Sequence, residues 1–142
     1  MRLVDERKET IEEIKSLIIN AEETVDIIVV EGRRDEESLR SFGYHGKVEV
    51  YSHIRKSEHD KACLIAEKGS KILILTDFDL KGNRIAYRLT KLLESERVFV
   101  DKETRHTIGK LVAFLGLRTI EELDDITIKN KISVNSCFSS EF

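Results

Sequence analysis

Three acidic residues stand directly after apolar, β-branched runs. Glu31 follows Val25–Val30 (Val-Asp-Ile-Ile-Val-Val), and Asp77 and Asp79 follow Lys71–Thr76 (Lys-Ile-Leu-Ile-Leu-Thr). Carboxylates brought close together repel, and each raises the pKa of its neighbours. A divalent cation among the oxygens relieves that repulsion. Mg²⁺ suits such a set, being a hard ion that takes oxygen ligands, keeps several waters and bridges to phosphate. The Asp-x-Asp spacing lets both aspartates face one ion, whereas its plain alternative is an ordinary turn. Gly32 and Gly82 follow the acids, where backbone has to turn or approach a ligand closely. Asp35 reads most simply as the N-cap of the helix after Glu31, with a part in the metal site as the alternative.

Basic residues surround these acids. Lys81 opens a helix, where free amides already favour an anion. Lys81, Arg84, Arg88 and Lys91 are spaced three and four apart and so share one helix face. That face is a candidate phosphate-tracking stripe, with an ordinary solvated face as the alternative. Arg33 and Arg34 border the same region; Arg105, His106 and Lys110 have no assigned place. His45, His53, His59 and His106 show no metal-ligand spacing among themselves and read as surface or packing residues.

These residues need a scaffold. Residues 5–23 form an amphipathic helix with Ile11, Ile14, Leu17, Ile18 and Ala21 on one stripe. Strands are expected at 25–30, 47–51, 71–76 and 97–100. Helices are expected between them: one carrying Leu39 and Phe42 and stopped by Gly43, one capped by Ser57 and ended at Gly69, and one over 81–94. The last of these has Ile85, Leu89 and Leu92 inward. A helix over 102–115 follows, with Ile108, Leu111, Val112 and Leu115 inward. Thr119-Ile-Glu-Glu122 starts a short final helix through a capping box. Ile126–Ile128 and Ile132–Val134 form either a small hairpin or a loose end. Strands alternating with helices predict an α/β protein with a parallel sheet of about four strands. Ligands of such sheets bind beyond the carboxyl ends of the strands, where strand order reverses.

The segment Val-Val-Glu31-Gly32-Arg-Arg-Asp35 and the segment Thr76-Asp77-Phe78-Asp79-Leu-Lys81-Gly82 lie about 45 residues apart, each after an apolar strand. Together they resemble the Toprim domain of topoisomerases, bacterial primases, ribosomal-RNA maturation nucleases and small stand-alone archaeal and bacterial proteins. The resemblance covers about residues 25–101. It implies a Rossmann-like sheet, Mg²⁺ (one or two ions, with Mn²⁺ able to substitute) held by Glu31, Asp77 and Asp79, and phosphodiester chemistry on RNA or DNA. It also implies that Glu31 acts as general acid/base. Topoisomerases often carry a third acid two residues after the second; Lys81 stands there, which brings the chain closer to the stand-alone and nuclease-like members.

The expected organisation is an N-terminal helix over 1–24, a Toprim domain over 25–118 and a short helix and tail over 119–142. Tyr44, Tyr51 and Tyr87 lie within or beside this one domain, so none suits a topoisomerase nucleophile, and no zinc set for a primase module is present. The leading expectation is a Mg²⁺-dependent nuclease or nucleotidyl-transfer enzyme with Glu31, Asp77, Asp79 and Lys81 catalytic. The alternative is a non-catalytic nucleic-acid-binding module in a homodimer or larger assembly. An Asp-nucleophile phosphatase ranks last, because its Asp pair would follow the first strand.

Composition agrees in part. The net charge of −3 argues against nucleic acid at first sight. It divides into −3 over residues 1–24, +3 over 25–118 and −3 over 119–142, so the central region is mildly basic. No apolar run is long enough for a membrane span, the charged start does not read as a signal peptide, and Cys63 and Cys137 form no CxxC pair. A reduced, cytoplasmic chain with no membrane partner is the expectation.

Overall fold

The computed structural model describes the backbone of residues 2–127 and side chains from residue 5 onward. The elements run α1 (Arg2–Thr24), β1 (Ile27–Val30), α2 (Arg33–Ser41), β2 (Lys47–Val50), α3 (Glu58–Lys68), β3 (Lys71–Leu75), α4 (Leu80–Ser95), β4 (Phe99–Val100) and α5 (Lys102–Phe114). Residues 120–127 are helical. The strands form one parallel sheet in the order β2-β1-β3-β4. The two central strands pair Val30 with Leu75. The chain moves outward from β1 to β2 in one direction and from β3 to β4 in the other. Strand order therefore reverses between β1 and β3, and the crevice of such a sheet opens at their carboxyl ends.

Alternation along the strands divides the interior into two layers. Ile28, Val30, Leu73 and Leu75 meet α1, α2 and α5 through Ile14, Ile18, Leu39, Ile108 and Val112. Ile27, Val29, Ile72 and Ile74 meet α3 and α4 through Ala62, Ile65, Ala86, Leu89 and Leu93. All four residues of β1 are buried, as a strand covered on both faces requires. The predicted stripe of α1 is the buried one, so the N-terminal helix covers the sheet.

Local signals act as expected in most places. Ser57 Oγ accepts from Asp60 N at 3.2 Å and caps α3. Gly43 takes a φ of 100° and ends α2, a conformation costly for any residue with a Cβ. Thr119 Oγ1 accepts from Glu122 N at 3.0 Å. The helix that follows buries Ile120 and Leu123 in the same layer as α1. Ile126 and Thr127 continue that helix; the rest of the suggested hairpin, from residue 128, lies outside the described residues. The inner face of α4 is rotated from the expected one. Gly82, Ala86, Leu89 and Leu93 are buried, while Ile85 and Leu92 lie at the margin. The small residues Gly82 and Ala86 let α4 lie close to the sheet.

Candidate functional site

Glu31 leaves β1 and Asp77 follows Thr76 at the end of β3, so the pairing of these strands sets the two acids side by side. The backbone around them is fixed by several bonds. Ser52 N donates to Glu31 O at 3.0 Å, and Phe78 N donates to Arg118 O at 2.7 Å. The buried Thr76 hydroxyl donates to Gly82 O at 2.8 Å. Gly82 is required by this geometry, because a Cβ there would lie 1.9 Å from Asp77 O. Gly32 is not required in that way; the nearest atom to its added Cβ is 3.8 Å off.

The acids divide by how they are satisfied. Asp77 stands beside Glu31, and its carboxyl is pushed up to about 7. Burial is the main cause, followed by the charges of Glu31 and Asp35. Glu31 Oε1 is buried without a hydrogen-bond partner, and so is Asp35 Oδ1. Asp79 differs. Its Oδ1 accepts from Gly82 N at 2.7 Å and caps α4. Its second oxygen has no hydrogen bond among the described residues.

Asp35 is not the N-cap of α2. Gly32 holds that place, and Asp35 sits three residues on, its Oδ2 accepting from Gly32 N at 3.1 Å. The carboxyl is raised by burial, and the bond from the Gly32 amide offsets this only in part. A carboxylate reaching back to the cap amide is half of a capping box, with glycine supplying no side chain for the other half.

The acids open into a cleft of about 670 Å³ lined by Glu31, Asp35, Asp77, Lys81, Arg33 and Arg34, among others. Glu121 lines it too, so the helix over 120–127 borders the site, which sequence reading did not foresee. Ile120 and Leu123, three apart after a capping box, were the available signal. The basic residues are exposed and mostly paired. Arg33 Nε contacts Glu37 Oε1 at 3.1 Å and Arg34 Nη1 contacts Glu121 Oε1 at 3.1 Å. On α4, Arg88 pairs with Glu58 at 3.1 Å and Lys91 Nζ stands 5.4 Å from the Tyr87 ring centroid. Lys81 and Arg84 are exposed.

Arg105, unplaced by sequence, lies behind the acids. It donates to Ile74 O, Thr76 O and Asn83 Oδ1 at 3.1, 2.9 and 2.9 Å. Its guanidinium lies 4.6 Å from the Phe78 ring centroid. Burial lowers its pKa to about 10, with Asp77 and Glu31 opposing the shift. It clamps the end of β3 and leaves few donors for a phosphate. His106 and Lys110 border a separate groove of about 470 Å³ between α4 and α5.

The donor set fits a divalent cation. It is all carboxylate oxygen, it includes two buried oxygens with no protein partner, and burial with the neighbouring acids raises the Asp77 carboxyl, a penalty that a cation would relieve. The three expected ligands do not converge unaided, since Asp79 is turned to its cap. Among the described residues, the one trio of ligand atoms mutually within 4.8 Å is His59, Cys63 and Glu96, on the α3–α4 side.

No helix among the described residues is long and apolar enough to cross a membrane. Residues 26–123 match the Toprim domain model. A UPF0292 protein of Thermococcus onnurineus is 36% identical over 121 residues, covering 85% of this chain and 88% of that one. A UPF0292 protein of Pyrococcus furiosus is 37% identical, covering 83% and 86%. One from Methanosarcina barkeri is 28% identical across 100% of this chain and 97% of its own. A solved protein from Aquifex aeolicus superposes with a TM-score of 0.58 at 29% identity, over 81% of this chain and 95% of that one. Toprim domains bind divalent metal ions and serve nucleic-acid functions, and the acidic crevice between β1 and β3 lies within the matched span: this chain belongs to the Toprim-domain family.

Proposed function

We propose that the protein carries out Mg²⁺-dependent phosphodiester chemistry on nucleic acid, as a nuclease or nucleotidyl-transfer enzyme. The observation that supports this most is the acidic pair Glu31 and Asp77 lining a basic-rimmed cleft, with Glu31 Oε1 buried and without a partner. Glu31 and Asp77 would hold Mg²⁺, with Asp79 contributing the oxygen that its cap leaves open. When bound, the ion supplies charge stabilisation at the transferring phosphoryl group and lowers the pKa of water. Glu31 Oε1, buried and unpartnered, is the acceptor for a proton from the attacking group and its donor to the leaving oxygen. Lys81, in the first turn of α4, holds a phosphate against the helix amides. Arg84, Arg88 and Lys91 extend the track, and Arg33 and Arg34 face it across the cleft. The pairs Arg88–Glu58, Arg33–Glu37 and Arg34–Glu121 are exposed, and such pairs hold with about 0–1 kcal/mol, so phosphate can displace the glutamates.

The test is incubation with structured RNA and with single-stranded DNA, with and without Mg²⁺ or Mn²⁺. Turnover is expected only with metal, and about 10²–10⁴-fold slower in Glu31→Gln and Asp77→Asn. Turnover without metal, or undiminished in both variants, overturns the proposal. One observation favours the second reading, a binding module without catalysis: Asp79 already serves as a helix cap. Salt-dependent binding of nucleic acid with no turnover supports that reading.

A further inference from the structure

His59 and Cys63 lie one turn apart on α3, and Glu96 is the C-cap of α4 beside them. Cys63 Sγ is 3.7 Å from His59 Nδ1 and 3.7 Å from Glu96 Oε1. A tetrahedral zinc ion has bonds of about 2.3 Å to sulfur and about 2.0–2.1 Å to nitrogen or oxygen. Sulfur then stands ~3.6 Å from each nitrogen or oxygen ligand across a tetrahedral edge. Both measured separations match that edge before any ion is present.

From this match we infer a second metal site, for a divalent transition cation of the zinc type, built from His59 Nδ1, Cys63 Sγ and Glu96 Oε1. The ligand set differs in kind from the all-oxygen crevice between β1 and β3. One thiolate, one imidazole and one carboxylate suit a borderline-soft ion and are poor company for Mg²⁺. The three ligands leave a fourth position to water, and the exposed setting of His59 and Glu96 allows it. The surroundings also favour a cation: Asp60 and Glu67, besides Glu96, bring negative charge to the thiol. Asp60 Oδ1 is 3.6 Å from His59 Nδ1, too far for a hydrogen bond that would occupy the nitrogen. On binding, the Cys63 S–H bond breaks, the proton goes to solvent and the sulfur–metal bond forms. The ion would tie the first turn of α3 to the end of α4, a junction that otherwise has the exposed Arg88–Glu58 pair. Histidine spacing alone concealed the site, because its partners are a cysteine on the same helix and a glutamate 33 residues on.

Titration of the full chain with Co²⁺ tests this inference separately from the proposed activity. An intense near-ultraviolet thiolate-to-cobalt band is expected in wild type and in Cys137→Ser. It is expected to vanish in Cys63→Ser, to need about tenfold or more Co²⁺ in His59→Ala and Glu96→Gln, to be bleached by Zn²⁺ and to survive excess Mg²⁺. Circular dichroism of each variant confirms that it is folded; Glu96→Gln, changed at an exposed position, gives a second reading if Cys63→Ser is not. No band in wild type overturns the site. So does a band that survives Cys63→Ser, is lost in Cys137→Ser, ignores both His59→Ala and Glu96→Gln, or is abolished by Mg²⁺.

Discussion

At the amino end of the sheet, Asp26 stands just before β1 with one carboxylate oxygen accepting three hydrogen bonds. Its Oδ2 accepts from Ser70 N at 2.8 Å, Lys71 N at 3.0 Å and Ser70 Oγ at 3.1 Å. These bonds, led by that from the Ser70 backbone, hold its pKa below the ordinary range. At the carboxyl end, between the same two strands, Asp77 and Asp35 are raised, and two carboxylate oxygens have no partner. One end uses an acid to bind β1 and β3 together. The other gathers acids that oppose one another. Burying an unpaired polar oxygen costs about 1–3 kcal/mol, and folding alone gives no reason to retain two of them. The contrast supports the proposed use of the carboxyl end for ligand binding at some cost in stability.

The strongest test of that contrast is steric. Gly82→Ala would drive a methyl group into Asp77 O and should destabilise the fold by about 3 kcal/mol. Gly32→Ala, on the other side of the cleft, meets no clash and should cost only about 0.5–1 kcal/mol, the preference of an N-cap for glycine over alanine. Urea denaturation of the two variants measures both, and equal effects would remove the distinction between a required and a tolerated glycine.

An electrostatic test comes next. The folded state holds the Asp77 proton up to about pH 7, against 3.8 for the ordinary carboxyl. This group's contribution is therefore full below about pH 4 and is withdrawn as pH rises to 7. Asp77→Asn cannot ionise. Without metal it should be more stable than wild type by about 2 kcal/mol at pH 8, after allowance for partial solvent access, and the gain should fade towards pH 4. Mg²⁺ should raise the melting temperature of wild type and leave the variant unchanged. A variant less stable than wild type at pH 8 would mean that the acid pair is structural.

Asp26→Asn should give the smallest effect, with the opposite dependence on pH. A carboxylate held low contributes stability above about pH 4 and loses it as pH falls through its folded value. The variant should therefore be less stable than wild type near neutrality and should converge with it in acid. Thermal melts across pH 2–8 read the difference.

The legible part of the molecule was its local and periodic part. Four strands, their covering helices and the caps at Ser57 and Thr119 follow from apolar runs, helical spacing and hydroxyl positions that act within a few residues. The errors have a common origin. Apolar spacing points to Ile85, Leu89 and Leu92 as the inner face of α4, whereas close approach to the sheet selects Gly82 and Ala86 beside Leu89. Aspartate favours a cap position, but the cap here is Gly32 and the Asp35 carboxylate reaches back to its amide. Arg105 has no place in the sequence reading because its partners at and just beyond the end of β3 lie 28 to 31 residues away.

By itself the sequence determined which residues could do chemistry and which strands carry them, because residue type and spacing are written along the chain. Only the tertiary structure decided how those residues are used. Parallel pairing of β1 with β3 joins Glu31 to Asp77, the first turn of α4 claims one oxygen of Asp79, and Arg105 turns inward to clamp backbone. Protonation, orphaned oxygens and pairing all depend on neighbours distant in sequence, and those neighbours exist only once the sheet has assembled.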